Sequence, residues 1–419
     1  MKKLFLFIGL TACVGTIQSQ DFVITQLGVG NDSTKIQTEA IQKVIDHAEA
    51  KGGGTIVVPK GTYLTGALFF KPNTKLRLEE GGVLKGSDDI HDYPLLPSRM
   101  EGKNIYYYAA LINAYYVDNF EITGSGMVNG NGLKFWKTFW AHRDSMNKAG
   151  KSWTNLEVHR PRMLFVWGCS NIKLSGVKLH NAGYWTTHFY QCNNIVIENC
   201  DIRAPRKPVR APSTDAIDLD VCKKVVIRNC YLSTDDDGVC IKGGKGPLAH
   251  KSPENGIVED VLVENCTFGP NLHGTLTMGS EAVYARNITM RNCIVENNCA
   301  LLRLKMRPDT HQIYENITIE NITGRCGNII SMAPWKQFYN LEGSGEKPKG
   351  IVRNIRIENV KVDCIELGGV NGNPDDIVEN VVLRNIDTTT KKEGFKTKYS
   401  GVKLENVKIN GKLVVDSHP

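Results

Sequence analysis

Short segments of alternating apolar and polar residues recur along this chain, each closing on Asn or Gly. Asn171-Ile-Lys-Leu-Ser-Gly176 and Asn194-Ile-Val-Ile-Glu-Asn199 open the series. Asn287-Ile-Thr-Met-Arg-Asn292, Asn316-Ile-Thr-Ile-Glu-Asn321 and Asn354-Ile-Arg-Ile-Glu-Asn359 repeat it almost residue for residue. Successive closing residues stand 21 to 38 positions apart. A period of two marks a strand with one buried face. The intervals are too long for tight hairpins and carry no helical stripe, which excludes βαβ units and disfavours a sandwich. A chain that returns with a short strand every two to three dozen residues is a solenoid. The expected fold is all-β: a single-stranded, right-handed parallel β-helix, each coil giving two or three strands stacked at about 4.8 Å. The recurrent Asn is expected to turn the chain inside the stack, with amides bonded from coil to coil. Uneven intervals mean loops of uneven length, which in solenoids gather on one side and build the cleft.

One segment has a different period. From Thr38 to Ala50, apolar residues fall at Ala40, Ile41, Val44, Ile45 and Ala48, a helical stripe that Gly52-Gly53-Gly54 ends. This helix is expected to cap the open N-terminal end of the stack, where unpaired strand edges would invite aggregation. No linker is visible, so residues 21–419 read as one domain.

Residues 1–20 stand apart. Lys2 and Lys3 precede an apolar run from Leu4 to Leu10, the pattern of a secretory signal and too short for a membrane span. Cleavage near Ser19 or Gln20 would deliver the protein to the periplasm or the exterior. Leu10-Thr11-Ala12-Cys13 offers the alternative of lipid anchoring at Cys13. No other apolar run is long enough to cross a bilayer.

Twelve cysteines in an exported chain suggest disulfides, but their placement argues otherwise. Cys200, Cys230, Cys266 and Cys293 each follow the Asn that closes a repeat. A cysteine at one fixed place in a repeat is a small buried side chain stacked on its equivalents. Zinc-type Cys/His spacing is absent. The net charge is +7, or +5 without Lys2 and Lys3. That excess suits an acidic polymer or plain solubility. No nucleic-acid-binding signature is present.

Two acidic clusters could carry chemistry: Ser213-Thr-Asp215-Ala-Ile-Asp218-Leu-Asp220 and Ser233-Thr-Asp235-Asp236-Asp237. Asp215 and Asp236 are 21 residues apart, about one coil, so their carboxyl groups can meet on neighbouring coils. Glycoside hydrolysis needs one carboxylic acid to protonate the leaving oxygen and a carboxylate to activate water. Crowding raises at least one pKa and keeps a proton available. Alternatively such residues cap turns or bind Ca²⁺. His273 follows, a residue type more often structural than functional when alone. Arg303 and Lys305 share one face of a strand, where two cations call for an anion. A carboxylated sugar would serve; so would an acidic neighbour.

These four stretches, in this order, resemble the motifs of the pectin-degrading polygalacturonases, glycoside hydrolase family 28, in its bacterial branch. They read Ser213-Thr214-Asp215, Asp235-Asp236-Asp237, Leu272-His273-Gly274 and Arg303-Leu304-Lys305. The resemblance implies Asp236 as general acid, and Asp215 and Asp237 as the pair that holds and activates water. It implies His273 beside the acid and Arg303 with Lys305 on a galacturonate carboxylate. It implies inversion, carboxylates about 6.5–9.5 Å apart, and no metal or other cofactor. A downstream aromatic, Trp335 or Tyr339, is expected at the substrate. Ser213, Asp235, Gly238 and Leu272 depart from the family pattern, which bears on the substrate more than on the reaction. The implied partner is an acidic polysaccharide or its oligosaccharides, handled by a monomer. Exo action is expected, walled by the proline-rich segment 203–212 or by the Tyr106–Tyr108 run. The alternatives are a rhamnogalacturonan or decorated-pectin hydrolase, a Ca²⁺-dependent pectate lyase, and a non-catalytic β-helix that binds glycans.

Overall fold

A computed structural model describes residues 20–414, apart from the side chain of residue 393. The segment read as an export signal, with Cys13, lies outside the described residues except for Gln20. Parallel strands follow one another coil by coil into a single β-helix. One face carries the strands Thr187–Tyr190, Ile217–Asp220, Asp237–Lys242, Gly274–Met278, Ala300–Met306 and Asn328–Pro334, each paired in parallel with the next. The repeats seen in the sequence form a second face, and strands such as Asp201–Arg203 and Tyr231–Ser233 a third.

Register makes the core. Ile172, Ile195, Val225, Val261, Ile288, Ile317, Ile355 and Val381 stack in one file, each paired with the next. All are at most 2% exposed. Burying each such side chain contributes about 1.5–3 kcal/mol, and β-branched residues suit the pleated surface. Cys200, Cys230, Cys266 and Cys293 form a second file of free, buried thiols. Each donates to the carbonyl two residues before it, at 3.2–3.3 Å.

The Asn residues do turn the chain, but outside the stack rather than inside it. Asn292, Asn321, Asn359, Asn385 and Asn406 have φ between +51° and +57° and exposed side chains. In this left-handed conformation the backbone turns the corner while the side chain projects outward. Their amides still join coil to coil: Nδ2 of Asn321, Asn359, Asn385 and Asn406 each donates to Oδ1 of the preceding member, at 2.8–3.3 Å. The interior is left to aliphatic side chains, where an amide would be hard to satisfy.

The helix Thr38–Ala50 buries Ile41, Val44, Ile45 and Ala48 against the first coils, as expected of a cap. Two further elements interrupt the coils. Leu95–Met100 and Lys103–Tyr108 form an antiparallel hairpin. Leu133–Lys148 is a helix that buries Phe135, Trp136 and Phe139, with Trp136 Nε1 donating to Ala182 O at 2.9 Å.

The corner geometry gives a stability prediction. Asn359→Ala forces a Cβ-bearing residue to keep φ near +55° without its amide bonds, and should cost about 1–3 kcal/mol. Asn359→Gly loses the same amide but tolerates the φ, so chemical denaturation should find it the milder of the two.

Candidate active site

Four adjacent coils bring the predicted residues together. Asp215 precedes the strand Ile217–Asp220, and Asp235 and Asp236 precede Asp237, which starts the next strand. His273 precedes Gly274–Met278, and Arg303 and Lys305 lie within Ala300–Met306. Backbone bonds fix the offsets: Ala216 N donates to Asp237 O at 2.9 Å and His273 N to Asp236 O at 3.0 Å. Asp215, Asp236, His273, Arg303 and Lys305 line one cavity of about 300 Å³, and Asp237 lies beneath them, 1% exposed.

The three carboxyl groups share a low-dielectric site and differ through their neighbours. Burial pushes Asp237 up, but Lys305 Nζ lies 2.7 Å from Oδ2 and Arg303 Nη1 3.8 Å from Oδ1, and these cations outweigh it. Asp237 is held down to about 2 and is ionised. Asp236 is shifted upward, by burial and then by the charge on Asp237, with His273 and Lys305 opposing. Asp215 has no cation in contact and stands well above the usual carboxylate range, through burial and then Asp236 and Asp218. The cluster therefore keeps a proton beside an ionised carboxylate.

An oxygen of Asp215 and one of Asp237 lie within 4.8 Å of each other. Two hydrogen bonds of about 2.7 Å let one water span that gap. Asp237 Oδ1 accepts from no protein group among the described residues. Cys240 is within the same 4.8 Å. Its thiol donates to Gly279 O at 3.1 Å and burial raises its pKa, so it offers no thiolate. With Lys305 already on Asp237, the set fits a water better than a hard cation.

Sequence reasoning missed much of the cavity wall. Lys242, 4% exposed, lies 3.3 Å from Asp218 and 3.5 Å from Glu281, with its ammonium 4.2 Å from the Trp185 ring centre. Burial pushes Asp218 up to about 7 against the pull of Lys242. Glu281 is pulled down by Lys242 and Lys245 despite its burial, and is the firmer anion of the two. Glu101, at the hairpin turn, is raised by burial and by Glu281. Phe139, Trp140 and Arg143 from the second helix, with Trp153 and Asn155 after it, complete the wall. That helix is legible in hindsight from the spacing of Phe135, Trp136, Phe139 and Trp140. No local signal marks Glu101.

Of the two aromatic candidates, Trp335 lines the cavity, about 5 Å from the Arg303 and Lys305 charges. Tyr339 is 49% exposed and outside it. The segment 203–212 contributes Arg210 and Pro212 to the wall. The Tyr106–Tyr108 run does not reach the cavity: Tyr107 packs behind it on Tyr184 and Tyr106 faces solvent. Two departures from the family pattern also find a cause. A Cβ at Gly238 would meet Thr275 O at 2.8 Å and the Phe268 ring at 3.0 Å, and Leu272 is buried in the core.

Comparison with known proteins places the fold and the family. The fold is close to that of a hyperthermoactive exopolygalacturonase from Thermotoga maritima, with a TM-score of 0.80 and 24% identity over 95% of this chain and 93% of that one. An exo-poly-α-D-galacturonosidase of Dickeya chrysanthemi is 26% identical over 93% of this chain and 74% of its own length. A probable polygalacturonase of Vitis vinifera is 31% identical over 52% of this chain, which spans 43% of that relative. The model of the glycosyl hydrolases family 28 matches residues 54–412, and the chain belongs to that family of glycoside hydrolases.

Proposed function

We propose that this protein removes terminal galacturonate from pectin fragments by inverting hydrolysis of α-galacturonide bonds. The observation that carries the reading is one cavity lined by Asp236, whose carboxyl is shifted upward, and by the cation pair Arg303–Lys305, with an ionised Asp237 beneath it. Asp236, 29% exposed, reaches the cavity and donates its proton to the leaving oxygen. Asp215 and Asp237 hold the water, and Asp237 takes its proton as the water attacks the anomeric carbon from the opposite face. Water supplies hydroxide to the sugar and the departing sugar takes the Asp236 proton. A second cycle then needs only proton exchange with solvent. Arg303 and Lys305 face the carboxylate of the sugar and fix its place.

Exo action follows from the wall. Glu101, Trp140, Trp153 and Asn155 come from insertions that precede the Asp215 coil, while Arg303, Lys305 and Trp335 follow it. A chain end fits between them, and the wall stops a polymer from running through. The exo activities by which the Thermotoga and Dickeya relatives are named favour the same reading. A polymer outside the cell also suits the export signal expected in residues 1–20. The action needs no partner subunit.

Digestion of polygalacturonate with chelator present should release saturated galacturonate monomer, followed by chromatography. Asp236→Asn should lower kcat by about 10²–10⁴-fold. Unsaturated product absorbing in the ultraviolet would mean a lyase, and a ladder of oligomers would mean endo action.

The charge pattern sets the pH profile. Activity needs Asp237 ionised and Asp236 protonated, so it should fall as rising pH takes the proton from Asp236, above the usual carboxylate range. At acid pH it should fall as Asp237 gains one, near 2. Lys305→Met removes the cation that lowers Asp237. The acid limb of the kcat profile should then move to higher pH; an unmoved limb would remove Asp237 from the base role.

A further inference from the structure

We infer that Arg206 and Arg210, anchored together on the buried Asp235, form a second carboxylate clamp on the opposite side of Asp236 from Arg303 and Lys305. The enzyme would then require two adjacent unesterified uronates. This rests on the galacturonide reading of the cavity. Asp235 is fully buried, and Nε of Arg206 and Nε of Arg210 each lie 2.9 Å from one of its oxygens. Two guanidinium groups share one carboxylate, so one positive charge is left over at the cavity edge. Their side chains are 41% and 43% exposed. Neither Nη1 donates to a protein acceptor among the described residues.

The position matters as much as the charge. Arg206 Nη2 lies 3.1 Å and Arg210 Nη2 2.9 Å from His273 Nε2. A guanidinium only donates, so these two contacts make Nε2 an acceptor, with Asp235 Oδ1 3.3 Å from the same nitrogen, and Nδ1 is turned to Asp236 Oδ1 at 3.8 Å. On the other side, Arg303 Nη1 donates to His273 O at 3.3 Å. His273 and Asp236 thus stand between two sets of cations, and the bond that Asp236 protonates lies between the sugars that those sets would hold. The second set is preorganised. Trp140 Nε1 donates to Arg210 O at 2.9 Å, and Pro205, Pro208 and Pro212 stiffen the segment. Without an acid at position 235 the two arginines would repel one another, which explains this departure from the family pattern.

The test uses digalacturonate and its two monomethyl esters, each with one ring neutral. For the parent enzyme, esterifying either ring should lower kcat/KM by about 10–100-fold, the weight of a hydrogen-bonded charge pair. In Arg206→Ala/Arg210→Ala the penalty for one ester should shrink to within about threefold, and the penalty for the other should persist. Arg303→Ala should show the converse. Arg210→Lys, which keeps the charge, should restore part of the discrimination. If the arginines only orient His273, the double variant slows all three substrates alike, and that outcome overturns the clamp. Thermal unfolding checks that the variants are folded. If the parent cleaves no galacturonide at all, the reading of the cavity fails and takes the clamp with it. If it cleaves them with unaltered discrimination in the variant, the clamp alone fails.

Discussion

Everything in this molecule depends on one constraint, the hydrogen-bonded register of each coil upon the next. Parallel pairing holds neighbouring strands about 4.8 Å apart, so any residue meets its counterpart one coil away. Where the counterpart is Ile or Val, the result is a continuous core file. Where it is Asn at a corner, the result is an amide ladder. Where it is an acid, as with Asp215 against Asp236 and Asp237, the result is carboxyl groups that cannot avoid one another. The active site is the same stacking rule applied to different residues.

That crowding would be costly if every carboxyl were ionised. At 4 Å two like charges repel by about 4 kcal/mol at an effective dielectric of 20. The structure resolves the conflict unequally. Asp215 and Asp237 are both buried, yet one rises and the other falls. The difference is Lys305, 2.7 Å from Asp237 and absent from Asp215. A cation two coils further on thus decides which carboxylate is held down and, through the charge it leaves in place, pushes its neighbours up. Lys242 does similar work for Glu281 and leaves Asp218 near neutrality. The same residues that would hold an acidic sugar therefore set the proton inventory that cleaves it.

The repeats, the cap and the convergence of Asp215, Asp236, His273, Arg303 and Lys305 on one cavity were legible in the sequence because each is a local pattern multiplied. Period-two alternation shows in any single strand, and the spacing from Asp215 to Asp236 is within one residue of the coil offset of 22. The corner Asn were found but misplaced. Sequence shows that Asn turns the chain, whereas only backbone geometry shows the side chain leaving the stack at φ near +55°. The cavity wall was less visible because it arises from insertions that break the repeat. Glu101 reaches the cavity from more than 100 residues before Asp215 in sequence, through a hairpin whose partner strands carry no catalytic motif. Proline at 205, 208 and 212 marked a segment that contributes Arg210 and Pro212 to the cavity wall, while in the Tyr106–Tyr108 run Tyr107 packs behind the cavity and Tyr106 faces solvent.

A division of labour follows. The coils hold Asp215, Asp236, Asp237 and His273 through main-chain bonds that no surface substitution can easily move. The insertions supply the outer wall of the cavity, through side chains that can change without disturbing the stack. Asp235 belongs to both: its backbone donates to Thr214 Oγ1 at 3.1 Å within the catalytic coils, while its carboxylate ties down two arginines of the loop. A residue placed at that junction can alter which substrate is gripped and leave the chemistry of Asp236 and Asp237 in place. Under the proposed reading, departures from the family pattern that surround the reacting groups without replacing them are therefore where this chain's selectivity would be written.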